Sequence, residues 1–318
     1  MSDLSLIYKF KRATDIEKSP DGKYYAVSST YVMLLSSTSK LVLYKFNKFK
    51  YATTCVFSHD SKYLAIKSDF GKIILFSLDK MEVVKTFTTS QTEGPEIMFS
   101  PDDKFLITSD WNGKIFKIDL VNGLVINLKN YSGFLVRSAR YDDEHGRFLF
   151  LVTHILTSGQ TILNSTGQDL LVEWDYIKGD NAIKEHGIDG VLFRTIYNSA
   201  RKIYFILRYN SFEILDENFE KESDIYQLGP KEFMQSADCS KDGRYLAVLL
   251  SAKSTLQIYE YSNQMNLVKK CIVDRIGIVK FITIEGIECL FLGAYDEGYL
   301  YNFEKFLEDP EFTNIHNI

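Results

Sequence analysis

Four near-copies of one turn, four short strand-like runs between copies, and a spare N-terminal strand matching a missing C-terminal one predict an all-β chain, a seven-bladed β-propeller with four antiparallel strands per blade. The copies are "SPDGKYYAV" (19–27), "SHDSKYLAI" (58–66), "SPDDKFLIT" (100–108) and "SKDGRYLAV" (240–248). Their turn residues Asp21, Asp60 and Asp102 stand 39 and 42 residues apart (60−21 and 102−60). The 140 residues from Asp102 to Asp242 leave room for two more units with a modest insertion. Degenerate copies stand there at "YDDEHGRFLFLV" (141–152) and "YNSARKIYFIL" (197–207), and a seventh follows at "FITIEGIECLFLG" (281–293).

The first element is "LSLIYKF" (4–10), a strand with no unit of its own. In the turn that follows, Pro20 pre-sets φ for the second position of a type I turn and Gly22 suits its fourth. Asp at the centre caps its own backbone. The copies keep Asp but lose Pro or Gly freely, which turn chemistry permits and a catalytic loop would not. The second unit then reads as "TTCVF" (53–57), "YLAIKS" (63–68), "KIILFS" (72–77) and "VVKTFT" (83–88). The third repeats that order with "EIMFS", "FLITSD", "KIFKID" and "VINLK", and the sixth with "SADCS", "YLAVLL", "LQIYEY" and "LVKKCI". Runs such as YLAVLL are nearly continuous apolar stretches, so they require burial on both faces. Proline is 5 of 318 residues, as suits a backbone committed to ladders. The seventh unit offers "IVKFI", "ECLFLG" and "YLYNFE" but no fourth strand. Pairing residues 4–10 with its third strand closes the ring and covers an edge. Residues 1–303 are thus read as one domain and 304–318 as a short tail.

The unit "VFSHDSKYLAIKSDFGKIILFSLDK" resembles the WD-repeat family, whose pattern is strand, S-P-D-G-K turn, strand, S-D-x-G turn, and a strand ending in Trp-Asp. The dipeptide survives once, as Trp174-Asp175; Phe76-Ser77, Ile118-Asp119 and Tyr259-Glu260 take its place elsewhere. The family's Gly-His stands before no first strand here, so its buried Asp–His–Ser–Trp network is not implied. The resemblance spans residues 4 to 303 as architecture, most clearly in units two, three and six. It implies a rigid platform whose turns between second and third strands face partners.

Composition excludes several classes. Net charge is −5, so no bulk electrostatic case exists for nucleic acid or anionic membrane. No apolar run approaches the roughly 18 residues of a membrane span, and the first residues lack a signal peptide's apolar core. A cytoplasmic location follows as the expectation. Cys55, Cys239, Cys271 and Cys289 form no C-x-x-C pair and read as reduced structural thiols, with Cys55 and Cys239 in apolar runs. No phosphate-binding, nucleophile-elbow or zinc-protease string occurs, and the five histidines share no ligand spacing. His59 sits at a proline position and reads as exposed and inert; the acidic run 216–224 reads as a solvated turn. An enzyme on this fold would instead gather polar residues at the inner strands, where Asp15, Glu96 and Arg137 are candidates of unlike type. No cofactor or metal is expected.

The stronger signal lies in the turns between second and third strands. Phe70 in "SDFGK", Trp111 in "SDWNGK", Tyr209 in "RYNSF", Tyr295 in "AYDEG" and Tyr31 in "STYVM" occupy positions that are usually small or polar. Asp69 and Asp110 flank the first two. Exposed Trp and Tyr on one rim are costly unless covered, and they are favoured hot-spot residues. The sequence therefore predicts a non-enzymatic scaffold whose rim binds protein partners, as a subunit or adaptor. The alternative is a propeller hydrolase or lactonase-like enzyme with a metal or polar site in the channel. The insertion 153–169 in the fourth unit is a secondary interaction candidate.

Overall fold

Short apolar strands alternating with Ser-Asp turns produce seven antiparallel sheets, giving an all-β, seven-bladed β-propeller. The computed structural model describes residues 5–309, apart from 50, 91, 93, 95, 143–144, 155–167, 190–191, 230–231, 252–253, 263 and 274. The chain clusters into two compact units, Glu17–Arg194 and Met1–Ile16 with Thr195–Ile318.

Strand β1 (Leu6–Ala13) precedes the first four-stranded sheet. That sheet takes β2 (Asp15–Lys18), β3 (Tyr24–Ser28), β4 (Met33–Ser36) and β5 (Val42–Lys45) in sequence order. The second sheet is β6 (Ala52–Phe57), β7 (Tyr63–Ser68), β8 (Lys72–Ser77) and β9 (Glu82–Thr88). The third is β10 (Ile97–Phe99), β11 (Phe105–Ser109), β12 (Lys114–Asp119) and β13 (Val125–Asn130). The fourth is β14 (Phe134–Asp142), β15 (Arg147–His154), β16 (Gln168–Trp174) and β17 (Ile183–Asp189). Apolar faces of successive sheets in Glu17–Arg194 meet in separate cores. One joins Leu34, Phe46, Leu64, Ile66 and Phe76; another joins Ile73, Leu75, Phe99, Leu106 and Ile118. The sheet-centre strands are buried on both faces, as their continuous apolar runs require.

The other unit holds β18 (Leu192–Asn198), β19 (Ile203–Arg208), β20 (Ser211–Asp216) and β21 (Tyr226–Gln227) as its first sheet. The next comprises β22 (Met234–Cys239), β23 (Tyr245–Leu250), β24 (Thr255–Tyr261) and β25 (Met265–Ile272). The last has the order β1, β27 (Ile287–Asn302), β26 (Ile276–Ile284). The N-terminal strand pairs with the last sheet as expected, with Phe10 opposite Gly298 and Leu6 opposite Tyr301. Segment β27 does the work of two strands. A Cβ on Gly293 would lie 2.9 Å, and one on Gly298 3.0 Å, from opposite edges of the Phe291 ring. Five residues of straight strand would hold those positions about 17 Å apart, so the segment folds back between them. Its first half pairs with β26 and its second with β1. Helix α1 (Phe303–Glu308) crosses the expected boundary between residues 303 and 304, and its Phe303 and Phe306 are buried in the core of the last two sheets.

The repeated turn has one geometry in four places. Ser19, Ser58, Ser100 and Ser240 donate from Oγ to the Oδ1 of Asp21, Asp60, Asp102 and Asp242 at 2.6–2.8 Å. Each serine carbonyl accepts from the N–H three residues on, in Gly22, Ser61, Asp103 and Gly243, all with positive φ (54–75°). Asp is thus structural, as turn chemistry predicts. Neighbouring turns are also tied together. The Asp103 carboxylate accepts from the backbone N–H groups of His59 and Asp60, both at 3.0 Å, and lies 2.8 Å from His59 Nδ1. His59 is exposed, as expected, but it is not without a structural part: it joins the second sheet to the third. Because Asp103 also holds a left-handed backbone (φ 54°), two substitutions separate its roles. Asp103→Ala loses the hydrogen bonds and keeps the backbone cost, lowering stability by about 1–3 kcal/mol. Asp103→Gly relieves the backbone and should lose about 1 kcal/mol less. Urea midpoints at constant m-value check both; an Ala variant as stable as wild type would mean that the carboxylate joins nothing.

Candidate functional site

In Glu17–Arg194 the turn after β7 is forced into a tight tip. Gly71 has φ +67°, and a Cβ there would stand 1.6 Å from the Ser90 carbonyl oxygen. Only glycine fits, so the chain reverses directly behind Phe70, which is 60% exposed. The turn after β11 repeats the device. Gly113 has φ +80°, and its Cβ would lie 2.0 Å from the Tyr131 carbonyl oxygen. Asp110 Oδ1 accepts from the Asn112 and Lys114 N–H groups at 2.9 and 2.8 Å, leaving Trp111 44% exposed at the tip.

A third ring, absent from the sequence reading, completes the surface. The Asp69 N–H donates to the Tyr51 carbonyl at 2.9 Å. Tyr51 holds a left-handed backbone (φ 57°), at a cost of about 1–2 kcal/mol for a non-glycine residue. Its ring, 59% exposed, meets the Phe70 ring edge-on at 5.6 Å and 88°. The signal that could have shown it is the run "NKFKY" (47–51), aromatics among lysines in a connection between sheets. Tyr31 lies in the turn between β3 and β4 and is half-buried. That turn is continuous with the surface, because Phe46 N–H donates to the Val32 carbonyl at 3.0 Å and Phe49 N–H to the Phe46 carbonyl at 2.9 Å.

Beneath these tips lies a buried ammonium. Lys67, 1% exposed, donates from Nζ to the Ser109 carbonyl at 2.5 Å and so ties β7 to the base of the Trp111 turn. Burial drives its pKa down to about 8, while the carboxylates of Asp110, Glu96 and Asp69 pull the other way. Gly94 closes over it: a Cβ there would be 1.9 Å from the Ser109 oxygen and 2.6 Å from Lys67 Nζ. Asp110 is buried and Asp69 half-buried, so both support the tips from below rather than standing proud of them.

The remaining candidates have other settings. In the second unit, Tyr209 is half-buried and its carbonyl accepts from Met234 N–H at 2.6 Å. Tyr295 falls within β27, and its side chain lies outside the described residues. Asp15 lies 3.4 Å from Lys280 Nζ. Glu96 accepts from the Ala139 N–H at 2.5 Å, joining the third sheet to the fourth, and Arg137 Nε donates to Thr153 Oγ1 at 2.9 Å. Most of the insertion 153–169 lies outside the described residues. Asp216, in the acidic run, caps its own turn by accepting from the Asn218 and Glu220 N–H groups, both at 2.8 Å. An open groove beside it is lined by Arg201, Asp216, Glu222 and Tyr261. Cys55, Cys271 and Cys289 are buried thiols and Cys239 a half-buried one; burial pushes the Cys271 thiol up to about 12. Among the described residues, no three His, Cys, Asp or Glu side chains gather as metal ligands, and no helix is long and apolar enough to cross a membrane.

Six four-stranded sheets and a seventh in which β27 serves as two strands, with aromatic tips on second-to-third turns, define a β-propeller that offers an exposed apolar surface. The chain is similar in structure to the Myceliophteria thermophila Cps50 (Swd1) β-propeller domain, with TM-score 0.74 and 12% identity, over 93% of this chain and 98% of that one. It is also similar to a chain of the mitotic checkpoint complex (TM-score 0.73, 11% identity, 95% of each chain). A chain of Kuenenia stuttgartiensis hydrazine synthase matches at TM-score 0.67 and 12% identity, over 90% of this chain and 93% of that one. No family model and no curated protein matches the sequence. At these identities the likeness concerns the fold alone, and it extends to assemblies of different function.

Proposed function

We propose that this protein is a divergent WD-repeat scaffold that binds protein partners through the aromatic tips of Glu17–Arg194, as a subunit or adaptor of a larger complex. The observation that carries the reading is the exposed Tyr51–Phe70 pair, with Trp111 on the turn tied to it through Lys67. Folding leaves these rings in water and accepts a left-handed backbone at Tyr51, a combination favoured where a partner covers the surface. The Swd1 and checkpoint-complex likenesses support a scaffold, since one of those chains was solved within a complex.

The test is a Phe70→Ala/Trp111→Ala variant. Both side chains are exposed at turn tips, so unfolding stability should stay within about 0.5 kcal/mol of wild type. Quantitative affinity purification from the native source should lose a stoichiometric partner by a factor of at least about 10, the scale of one or two hot-spot residues. An unchanged set of co-purifying proteins would refute the reading.

A further inference from the structure

The charge around the aromatic pair has a pattern that its neighbours lack. At the opposite end of the strands, Lys23, Lys62 and Lys104 each pair with the aspartate of their own turn, at 3.0–3.1 Å from Asp21, Asp60 and Asp102. At the aromatic end, Lys45, Lys48 and Lys72 are all exposed, and none has a carboxylate partner among the described residues. Each is placed by the backbone at the end of the strands that carries the rings. Lys45 ends β5 opposite Met33, next to the Tyr31 turn. Lys48 lies in the turn closed by Phe49 N–H on the Phe46 carbonyl. Lys72 follows Gly71 and pairs with Thr88. Among the described residues, Asp69 of the same turn is half-buried and interacts with the ammonium of Lys67. A chain of net charge −5 thus presents, at the end of the strands that carries its exposed ring pair, three cations with no carboxylate partner among the described residues.

We propose that this surface docks an acidic peptide segment of a partner protein, an aromatic or aliphatic anchor against Tyr51 and Phe70 flanked by Asp or Glu facing Lys45, Lys48 and Lys72. The proposal rests on the scaffold reading above and names the partner's chemistry. Charge complementarity selects carboxylates. Residues 13–136 contain no arginine, so every cation here is a compact ammonium that meets single carboxylate oxygens rather than the forked guanidinium that grips phosphate in two places. The apolar anchor follows from the rings, which supply burial, while the rim charges supply orientation and association rate.

The experiment pans a random dodecapeptide display library on the full-length protein. The counter-targets are Phe70→Ala and the Lys45→Glu/Lys48→Glu/Lys72→Glu triple variant. All four side chains are exposed, and melting curves confirm that each variant folds. Sequences with an apolar residue between Asp or Glu should be enriched on wild type and lost on both variants. A synthetic peptide of the enriched sequence should bind each variant at least about tenfold more weakly, and bind wild type more weakly as salt rises from about 50 to about 500 mM. Phe70-dependent peptides that are neutral or basic, and indifferent to the lysine reversals, would overturn the acidic partner and leave the docking face standing. If no enriched sequence depends on Phe70, both the partner chemistry and the docking face fail.

Discussion

Trp174→Ala should lower the unfolding free energy by about 3–5 kcal/mol, the range for removing a fully buried aromatic ring. The side chain is 1% exposed, stacks on Phe148 at 5.3 Å and 24°, and meets Phe105 and Tyr176 at 6.1 Å. Its indole N–H also donates to the Gly179 carbonyl at 3.1 Å, holding the turn that leads into β17. The surrounding core draws on the third and fourth sheets, so the cavity would loosen the contact between blades as well as within one. Trp174→Phe keeps most of the ring contact and loses the N–H donor, for a smaller loss of about 1–2 kcal/mol. Circular dichroism in urea measures both. Trp111, the only other tryptophan, is exposed, so wild-type fluorescence separates a blue buried signal from a quenchable surface one. An alanine variant within about 1 kcal/mol of wild type would contradict this core.

Between pH 8 and 10.5 the wild type should gain stability relative to a Lys67→Met variant, by an amount on the order of 3 kcal/mol. Burial lowers the folded-state pKa of Lys67 to about 8, against an ordinary value of 10.5. Below pH 8 the ammonium is charged in both states, and the folded state bears its desolvation. Above pH 8 the folded protein sheds that proton while the unfolded chain keeps it until about 10.5. The unfolded state then binds more protons, so stability rises with pH. Comparison with the variant is essential, because burial raises the pKa of Tyr259 and Tyr299 to about 12 and so works in the opposite direction at high pH. A stability difference that stays flat with pH would show that Lys67 is not a desolvated ammonium. The same titration bears on recognition, since Lys67 bonds to the carbonyl one residue before Asp110 and two before Trp111.

Much of the architecture was legible because its signals are local. A Ser-x-Asp turn closes on its own backbone within five residues, so its copies count blades wherever they occur. Continuous apolar runs revealed the strands buried on both faces, and the unpaired strand at 4–10 revealed the pairing with the last sheet. The exposed tips Phe70 and Trp111 were readable for the same reason: a tight turn ending in glycine exposes the residue before it, or the one two before it. Tyr209, expected on the same rim, is half-buried, a degree of exposure set by the packing around it, which no turn rule specifies.

The repeat, the order of strands in each sheet and the form of the Ser-x-Asp turns were thus fixed by signals that close over a few residues. Sheet packing is what brings the turn of the preceding blade onto Asp103, buries Lys67 beneath the Trp111 turn, and sets Tyr51 against Phe70. Those contacts join residues 19 to 44 positions apart, from Tyr51–Phe70 (70−51) to His59–Asp103 (103−59). Their geometry depends on how the sheets pack, and turn chemistry and strand period place no constraint on that.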